Sequence, residues 1–224
     1  MILNIVCVLK TEPNNYKRPV YDKSWVDKLY RGVSRNFQKP FKFFCLTNDI
    51  KDSIDYNIIP LSLDVWGWWN KLDIFAPNLF FGPTLYLDLD VVICKDFTHA
   101  VDNLPNDILL MCTEPYKNLL NSSVMYWDSN LTDLYLNFKK NQKKLITKYA
   151  FQSTHQSAIG DGAFIIDSLL DKAESFDKYV NDGFFNWKHH KTNTIIKDPT
   201  MLIFTSTEKP YNNLDIPIVK NNWI

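Results

Sequence analysis

The chain has 224 residues, 46% of them hydrophobic and 15% aromatic, which is ample material for a packed core and excludes a disordered or low-complexity protein. Its 25 basic side chains balance 25 acidic ones, so it lacks the basic excess of a dedicated nucleic-acid binder. Four cysteines, Cys7, Cys45, Cys94 and Cys112, each lie in or beside an apolar run without metal-ligand spacing; they read as buried thiols in a reducing cytoplasm.

Strand-like and helix-like segments alternate along the chain, which predicts an α/β fold with a mostly parallel central sheet and flanking helices. Residues 2–9 are a continuous apolar run, the pattern of a buried parallel strand; with no basic region before them they are not a signal peptide. No apolar stretch reaches the roughly 18 residues of a membrane span, so the sequons at Asn121 and Asn130 carry no weight as glycan acceptors. After a polar loop from Thr11 to Tyr21, helical spacing of Trp25, Leu29, Val33 and Phe37 predicts a helix capped by Ser24 and stopped by Pro40. Phe41–Thr47 is the second strand and Ile58–Leu63 the third. Residues 66–76 hold three tryptophans and predict a short amphipathic helix, of which at least one tryptophan belongs to the core. Gly82-Pro83 turns the chain into a strand over 84–93. Further strands are predicted at 108–113, 122–127, 162–166 and 201–205, and helices at 131–149 and 168–180. With neither repeat nor linker, residues 1–224 read as one domain whose C-terminal stretch, from about 210, folds back over the site.

Asp88-Leu89-Asp90 carries the strongest chemical signal. Alternate residues of a strand point the same way, which would put both carboxylates on one side. Two such groups repel and raise each other's pKa unless a cation lies between them. Mg²⁺ or Mn²⁺ prefers hard oxygen ligands together with phosphate oxygens and can neutralise a diphosphate leaving group. The alternative is a salt-bridged structural pair. The surrounding apolar sequence, where an unpaired carboxylate is costly, favours the metal.

Leu85-Tyr86-Leu87-Asp88-Leu89-Asp90-Val91-Val92-Ile93 resembles the D-x-D strand of GT-A-fold glycosyltransferases, in particular small bacterial and phage members related to the glycogenin and lipopolysaccharide galactosyltransferase group. Four further segments resemble that family's motifs in the same order: Trp68-Trp69-Asn70-Lys71-Leu72, Asn121-Ser122-Ser123-Val124-Met125, Gly160-Asp161-Gly162-Ala163-Phe164-Ile165, and Phe204 to Pro210. The resemblance implies a single Rossmann-like GT-A domain that transfers a sugar from a nucleotide-sugar, a UDP-sugar by analogy, with retention of configuration. It implies Asp88 and Asp90 as metal ligands for Mn²⁺ or Mg²⁺; Val8, Lys10, Asp49, Lys71, Asp88 and Lys209 as donor contacts; and Asp161 and Asn121 as catalytic groups. Two departures stand out. A C-terminal His that often completes the metal shell is absent, since positions 203 and 205 hold Ile203 and Thr205, and Gly162 replaces a Gln set near the reacting carbon in relatives. Thr205, Ser206 or water is left to fill the metal's open position.

Each candidate also has a plainer reading: an exposed lysine packed on Trp68 or Trp69 for Lys71, and turn residues for Asp49 and Asp161. Lys139, Lys140, Lys143, Lys144 and Lys148 read first as a solvated helix face, and second as a contact for an acidic acceptor, a membrane surface or DNA. His189-His190 are adjacent and would point apart, so they are not read as a chelate. A nucleotidyltransferase would favour a Gly-rich loop after the first strand, and 11–21 contains no glycine. A degenerate nucleotide- or carbohydrate-binding module is the other alternative. The acceptor is left open among a saccharide, a lipid-linked saccharide and a modified nucleic-acid base.

Overall fold

The computed structural model describes residues 2–11, 21–49, 53, 55–114, 118–150, 160–188, 198–205 and 208–224. In chain order the elements are β1 (Leu3–Leu9), α1 (Lys23–Asn36), β2 (Phe41–Thr47), β3 (Asn57–Pro60), a 3₁₀ segment Gly67–Phe75, β4 (Thr84–Leu87), β5 (Val92–Ile93), β6 (Leu109–Glu114), β7 (Leu119–Trp127), α2 (Thr132–Tyr149), α3 (Asp161–Leu169), β8 (Ala173–Ser175), β9 (Phe185–Lys188), β10 (Met201–Phe204) and α4 (Pro217–Asn222).

Seven strands form the main sheet in the order β3-β2-β1-β4-β7-β6-β8, and β5-β10-β9 form a smaller one. β3, β2, β1 and β4 are parallel; β7 is antiparallel to both its neighbours, β4 and β6, and β8 is parallel to β6. The predicted mostly parallel α/β sheet is therefore present.

The period-two alternation of the central strands divides the core. Leu3, Ile5, Cys7 and Leu9 of β1 and Leu85 and Leu87 of β4 face α1 and the small sheet, whereas Val6 and Tyr86 face the 3₁₀ segment, α2 and α3. On the first face α1 buries Trp25, Val26, Leu29 and Val33. Its cap is Asp22, whose Oδ1 accepts from Ser24 N at 2.9 Å, so the expected Ser24 cap shifts two residues upstream. On the other face Trp69 stacks on Phe138 of α2 at 5.3 Å and 7°, and Phe138 meets Phe164 of α3 at 5.7 Å.

Three expectations are corrected. Residues 162–166 belong to helix α3 and not to a strand, and the helix expected over 168–180 is a 3₁₀ turn at 170–172, the short strand β8 and a second 3₁₀ turn at 176–178. Gly162-Ala163-Phe164-Ile165-Ile166 is buried all round, and a short apolar run with no polar face has no period by which to tell a strand from a helix. Nor is the Gly67–Phe75 segment amphipathic: Trp69 through Phe75 are all buried. Side chains pin it in place: Asp73 accepts from Ser62 N, Ser62 Oγ and Leu63 N at 3.0, 2.5 and 2.9 Å, and Asn70 Nδ2 donates to Val65 O and Gly67 O. The predicted α2 is present, with Lys139, Lys140, Lys143, Lys144 and Lys148 exposed. No helix among the described residues is long and apolar enough to cross a membrane.

Phe138 is fully buried between Trp69 and Phe164. Phe138→Ala is expected to lower unfolding free energy by about 3–5 kcal/mol, read from urea denaturation. A loss below about 1 kcal/mol would show that the 3₁₀ segment and α2 do not depend on this stack.

Candidate active site

The candidate site lies at the C-terminal edge of the parallel strands, the usual place for ligands in open α/β sheets. Here β1 and β2 end side by side, and Asn48 bridges them by accepting from Thr11 N at 2.8 Å and donating to Thr11 O at 3.0 Å. β4 stops at Leu87, and Asp88-Leu89-Asp90 forms a turn closed by Val91 N to Asp88 O at 3.1 Å. The two carboxylates are thus presented by a turn and not by strand alternation. Asp88 N donates to Ser123 O at 2.8 Å, which fastens this turn to β7.

Asp88, Asp161 and Lys71 form one buried ion cluster. Lys71 Nζ is 3.1 Å from Asp88 Oδ1 and 3.2 Å from Asp161 Oδ2, and it donates to Ser122 O and Ser122 Oγ, both at 3.0 Å. Ser122 Oγ in turn donates to Asp161 Oδ2 at 2.7 Å, and Tyr86 OH donates to Asp88 Oδ1 at 2.6 Å. Burial by itself would favour loss of the Lys71 proton, but Asp161 and Asp88 outweigh it and hold the ammonium charged well above its ordinary pKa. Burial and the Asp88 charge keep the Tyr86 phenol protonated, so it remains a donor.

Asp90 is held separately. Lys209 Nζ lies 2.6 Å from Asp90 Oδ2, and Tyr21 OH donates to the same oxygen at 3.2 Å. Burial pushes the Asp90 carboxyl up, assisted by Asp88, while Lys209 and Tyr21 pull the other way without cancelling it. Three carboxylates therefore face two ammonium groups, an excess of one negative charge in a largely buried cluster.

Asp161 begins α3, after Gly160 in a left-handed conformation with φ +92°. A Cβ at Gly160 would come within 2.8 Å of Trp68 Nε1, so glycine is required both by the backbone and by the neighbouring indole. Trp69 is the core tryptophan, whereas Trp66 and Trp68 are 40% and 37% exposed and lie 5.1 Å apart. A half-exposed indole pair thus lies beside Asp161.

The remaining predicted residues are more dispersed. Asn121 is one residue from Ser122, and its Oδ1 accepts from Ser123 N at 2.8 Å. Val8 pairs with Leu46 in the sheet, and Lys10 reaches the exposed Asp64 at 3.4 Å. Asp49 lines a small crevice with Lys23, Thr47 and Tyr56 at the edge of β2. Ile203 is buried in β10, and Thr205 bonds through N and Oγ1 to Lys188 O, at 3.1 and 3.4 Å. Ser206, His189 and His190 lie outside the described residues. Tyr21, Tyr86 and Ser122 are the participants that sequence reasoning missed. Tyr86 could have been found from its place two residues before Asp88, on the same side of the strand; Tyr21 carries no local signal.

The described residues contain no group of three or more His, Cys, Asp or Glu that could hold a metal. Asp88 Oδ2 and Asp90 Oδ1 nevertheless make no hydrogen bond among the described residues, since the bonds above use the other oxygen of each carboxylate. Two hard oxygens and a surplus negative charge fit a small divalent cation that draws the rest of its shell from phosphate and water.

No family model matches the chain, and no curated protein matches it by sequence. Similar solved structures include several glycosyltransferases. LgtC, a galactosyltransferase solved in complex with donor and acceptor sugar analogues, superposes with TM-score 0.63 at 14% identity over 93% of this chain and 89% of that one. The glycosyltransferase GlyE of Streptococcus pneumoniae TIGR4 gives 0.64 at 16% identity over 93% and 56%. The bifunctional glycosyltransferase WbbM gives 0.59 at 11% identity over 99% and 50%. The chain has the fold of the LgtC-like GT-A glycosyltransferases, as its five ordered motifs led us to expect.

Removing the Lys71 charge leaves Asp88 and Asp161 buried without their shared cation. Lys71→Met is expected to cost about 3–5 kcal/mol of stability in urea denaturation, the scale for breaking a buried pair on one side. A variant as stable as the parent would show that water, not Lys71, compensates these carboxylates.

Proposed function

We propose that the protein is a glycosyltransferase that moves a sugar from a UDP-sugar to an acceptor hydroxyl, with Mn²⁺ or Mg²⁺ held by Asp88 and Asp90. The observation that carries this reading is the charge arrangement at the strand ends: Asp88 and Asp90 on one turn, each with one oxygen spare, beside Lys71, Lys209 and Asp161. When bound, the metal would neutralise charge developing on the diphosphate leaving group.

The chain's own groups supply the rest. Lys209, an ammonium on the segment that follows β10, is positioned to exchange Asp90 for a donor phosphate, a contact suited to a compact point charge. Val8, Lys10 and Asp49 stand along the same edge to receive the nucleotide, with Lys10 giving up its exposed Asp64. Lys71 acts from beneath by fixing Asp88 and Asp161, and so serves the donor through those carboxylates. Asp161 faces the donor sugar, and Asn121 offers its amide to sugar or acceptor. Trp66 and Trp68 offer a stacking surface beside Asp161, which suits a saccharide acceptor, free or lipid-linked.

The proposed course retains the anomeric configuration. The leaving diphosphate takes the acceptor's proton on the same face as the bond from the anomeric carbon to the phosphate oxygen breaks and the bond to the acceptor oxygen forms. No carboxylate is then needed as a base behind the ring, and Asp161 and Asn121 contribute electrostatic support. The alternative of a catalytically degenerate binding module draws on Gly162 and on the missing His at 203 and 205. Hydrolysis of UDP-sugars in the presence of Mn²⁺ separates the two.

Asp90→Ala is expected to reduce transfer or donor hydrolysis by about a hundredfold or more, the scale for losing one major electrostatic stabiliser. Near-full activity in that variant would remove Asp90 from the site, and a product shown by proton NMR to be inverted would overturn the retaining course. Titration calorimetry is expected to show Mn²⁺ binding more tightly in the presence of UDP than in its absence, because only two protein carboxylates are at hand. Equal affinity in both states would sink the two-carboxylate arrangement.

A further inference from the structure

At the opposite edge of the main sheet lies a cavity of about 230 Å³, walled by Phe75, Phe80, Phe81, Trp127, Asp128 and Ser129. It sits where β4 begins and β7 ends, with Thr84 paired to Trp127. From Gly82 to Asp88 the extended chain covers about 20 Å, so the cavity is remote from the carboxylate turn.

The walls are rigidly built. The Phe75 and Trp127 rings meet at 5.1 Å, and Phe80 packs edge-on against Phe44 of β2 at 5.1 Å. The backbone that carries Phe81 is tied to β1: Asn4, itself buried, donates Nδ2 to Phe81 O at 3.1 Å and N to Pro83 O at 2.9 Å. Phe81 is nevertheless 80% exposed, more than any other large hydrophobic residue among the described residues. An apolar ring on a pinned backbone thus stands in solvent at the rim of the cavity, where a ligand can reach it.

Asp128 makes no hydrogen bond or ion pair among the described residues, and partial burial pushes its carboxyl up. A carboxylate with no partner among the described residues, at the wall of a cavity, is free to accept hydrogen bonds from a ligand's hydroxyls.

We propose that this cavity binds a single sugar residue of a glycan, away from the transfer site. A pyranose presents a flat C–H face to the Phe81 ring and hydroxyls that donate to the Asp128 carboxylate. The volume falls below the roughly 300–1,000 Å³ of sites for drug-sized ligands, which suits one ring and not a nucleotide. The Asp128 charge also repels phosphate. The choice of a saccharide rests on the glycosyl-transfer reading, and such a site would hold a glycan chain while its other end reacts, or keep the protein on a glycan-bearing surface.

The test is ligand-observed saturation-transfer NMR on the full chain. The probes are the methyl glycosides of glucose, galactose, mannose and N-acetylglucosamine, with n-butylammonium as a cationic control. At least one glycoside is expected to bind with a Kd of about 1 mM or tighter, and Phe81→Ala and Asp128→Asn are expected to weaken it about tenfold or more. Asp90→Asn is expected to leave that binding intact, and thermal melting of each variant confirms that it folds. Failure of all four glycosides to bind, binding that survives both cavity substitutions, binding lost in Asp90→Asn, or preference for n-butylammonium would each overturn the proposal. UDP-sugar hydrolysis is followed separately and is expected to be unchanged in Phe81→Ala. Cavity binding without any hydrolysis would strike the transfer reading and spare the sugar site, and hydrolysis without cavity binding would do the reverse.

Discussion

Three carboxylates cannot share a buried corner of a protein unless something cancels their charge, and at this site Lys71 does most of that cancelling. Its ammonium touches Asp88 and Asp161 and is fixed in place by the carbonyl and hydroxyl of Ser122. One side chain therefore joins the 3₁₀ segment, the turn after β4, strand β7 and the start of α3. A buried ion pair is weak evidence of net stability, because desolvation offsets much of the attraction. Its effect here is geometric: with all donors of Lys71 engaged, Asp88 and Asp161 have little freedom of position, and the other Asp88 oxygen is left without a hydrogen bond among the described residues. Lys209 and Tyr21 do the same for Asp90 from the far side, which leaves two spare oxygens on one turn.

The aromatic residues hold this charge cluster in register. Trp69, Phe138 and Phe164 lock the 3₁₀ segment against α2 and α3, so that Lys71 and Asp161 arrive from different parts of the chain at a fixed separation. On the α1 face, Trp25 lies 4.6 Å from Tyr21, 5.7 Å from Tyr211 and 5.1 Å from Trp223. Arg31 and Arg35 of α1 hold the carbonyls of Ile224 and Asn222 at 2.9 and 2.7 Å. The stretch after Lys209 is thus fastened to the helix next to Tyr21, and both groups on Asp90 depend on this contact. LgtC shares this fold at 14% identity. Cores tolerate wide substitution when volume and pattern are kept, whereas the chemistry resides in a few groups at the strand ends.

Much of the candidate site could be read from residue types and spacing. Asp88, Asp90, Asp161, Lys71 and Lys209 were each singled out from the chain, and the structure brings them together. Their geometry was not legible. Asp88 and Asp90 were expected on a strand, but β4 ends at Leu87 and the pair is carried by a turn anchored to Ser123. Lys71 was expected at the surface or on a phosphate, yet it is buried among oxygens, because its partners come from residues 51 and 90 positions further along the chain. Tyr21 escaped notice for the same reason: its bond to Asp90 spans 69 positions, and nothing local distinguishes it from any other loop tyrosine.

What the sequence determined by itself was what short-range patterning controls. Continuous apolar runs specified β1 and β2, the 3.6-residue spacing of Trp25, Leu29 and Val33 specified α1, and five ordered motifs pointed to the GT-A fold. Only the tertiary structure decided elements whose period is hidden by complete burial: α3 in place of a strand, a 3₁₀ segment in place of an amphipathic helix, and the short strands β8 and β9. When every side of a segment is covered, its apolar residues carry no phase, and the surrounding layers choose the conformation. The pairing of charges is likewise a property of distance in space, and contact between residues far apart in the chain leaves no mark on the sequence near either one.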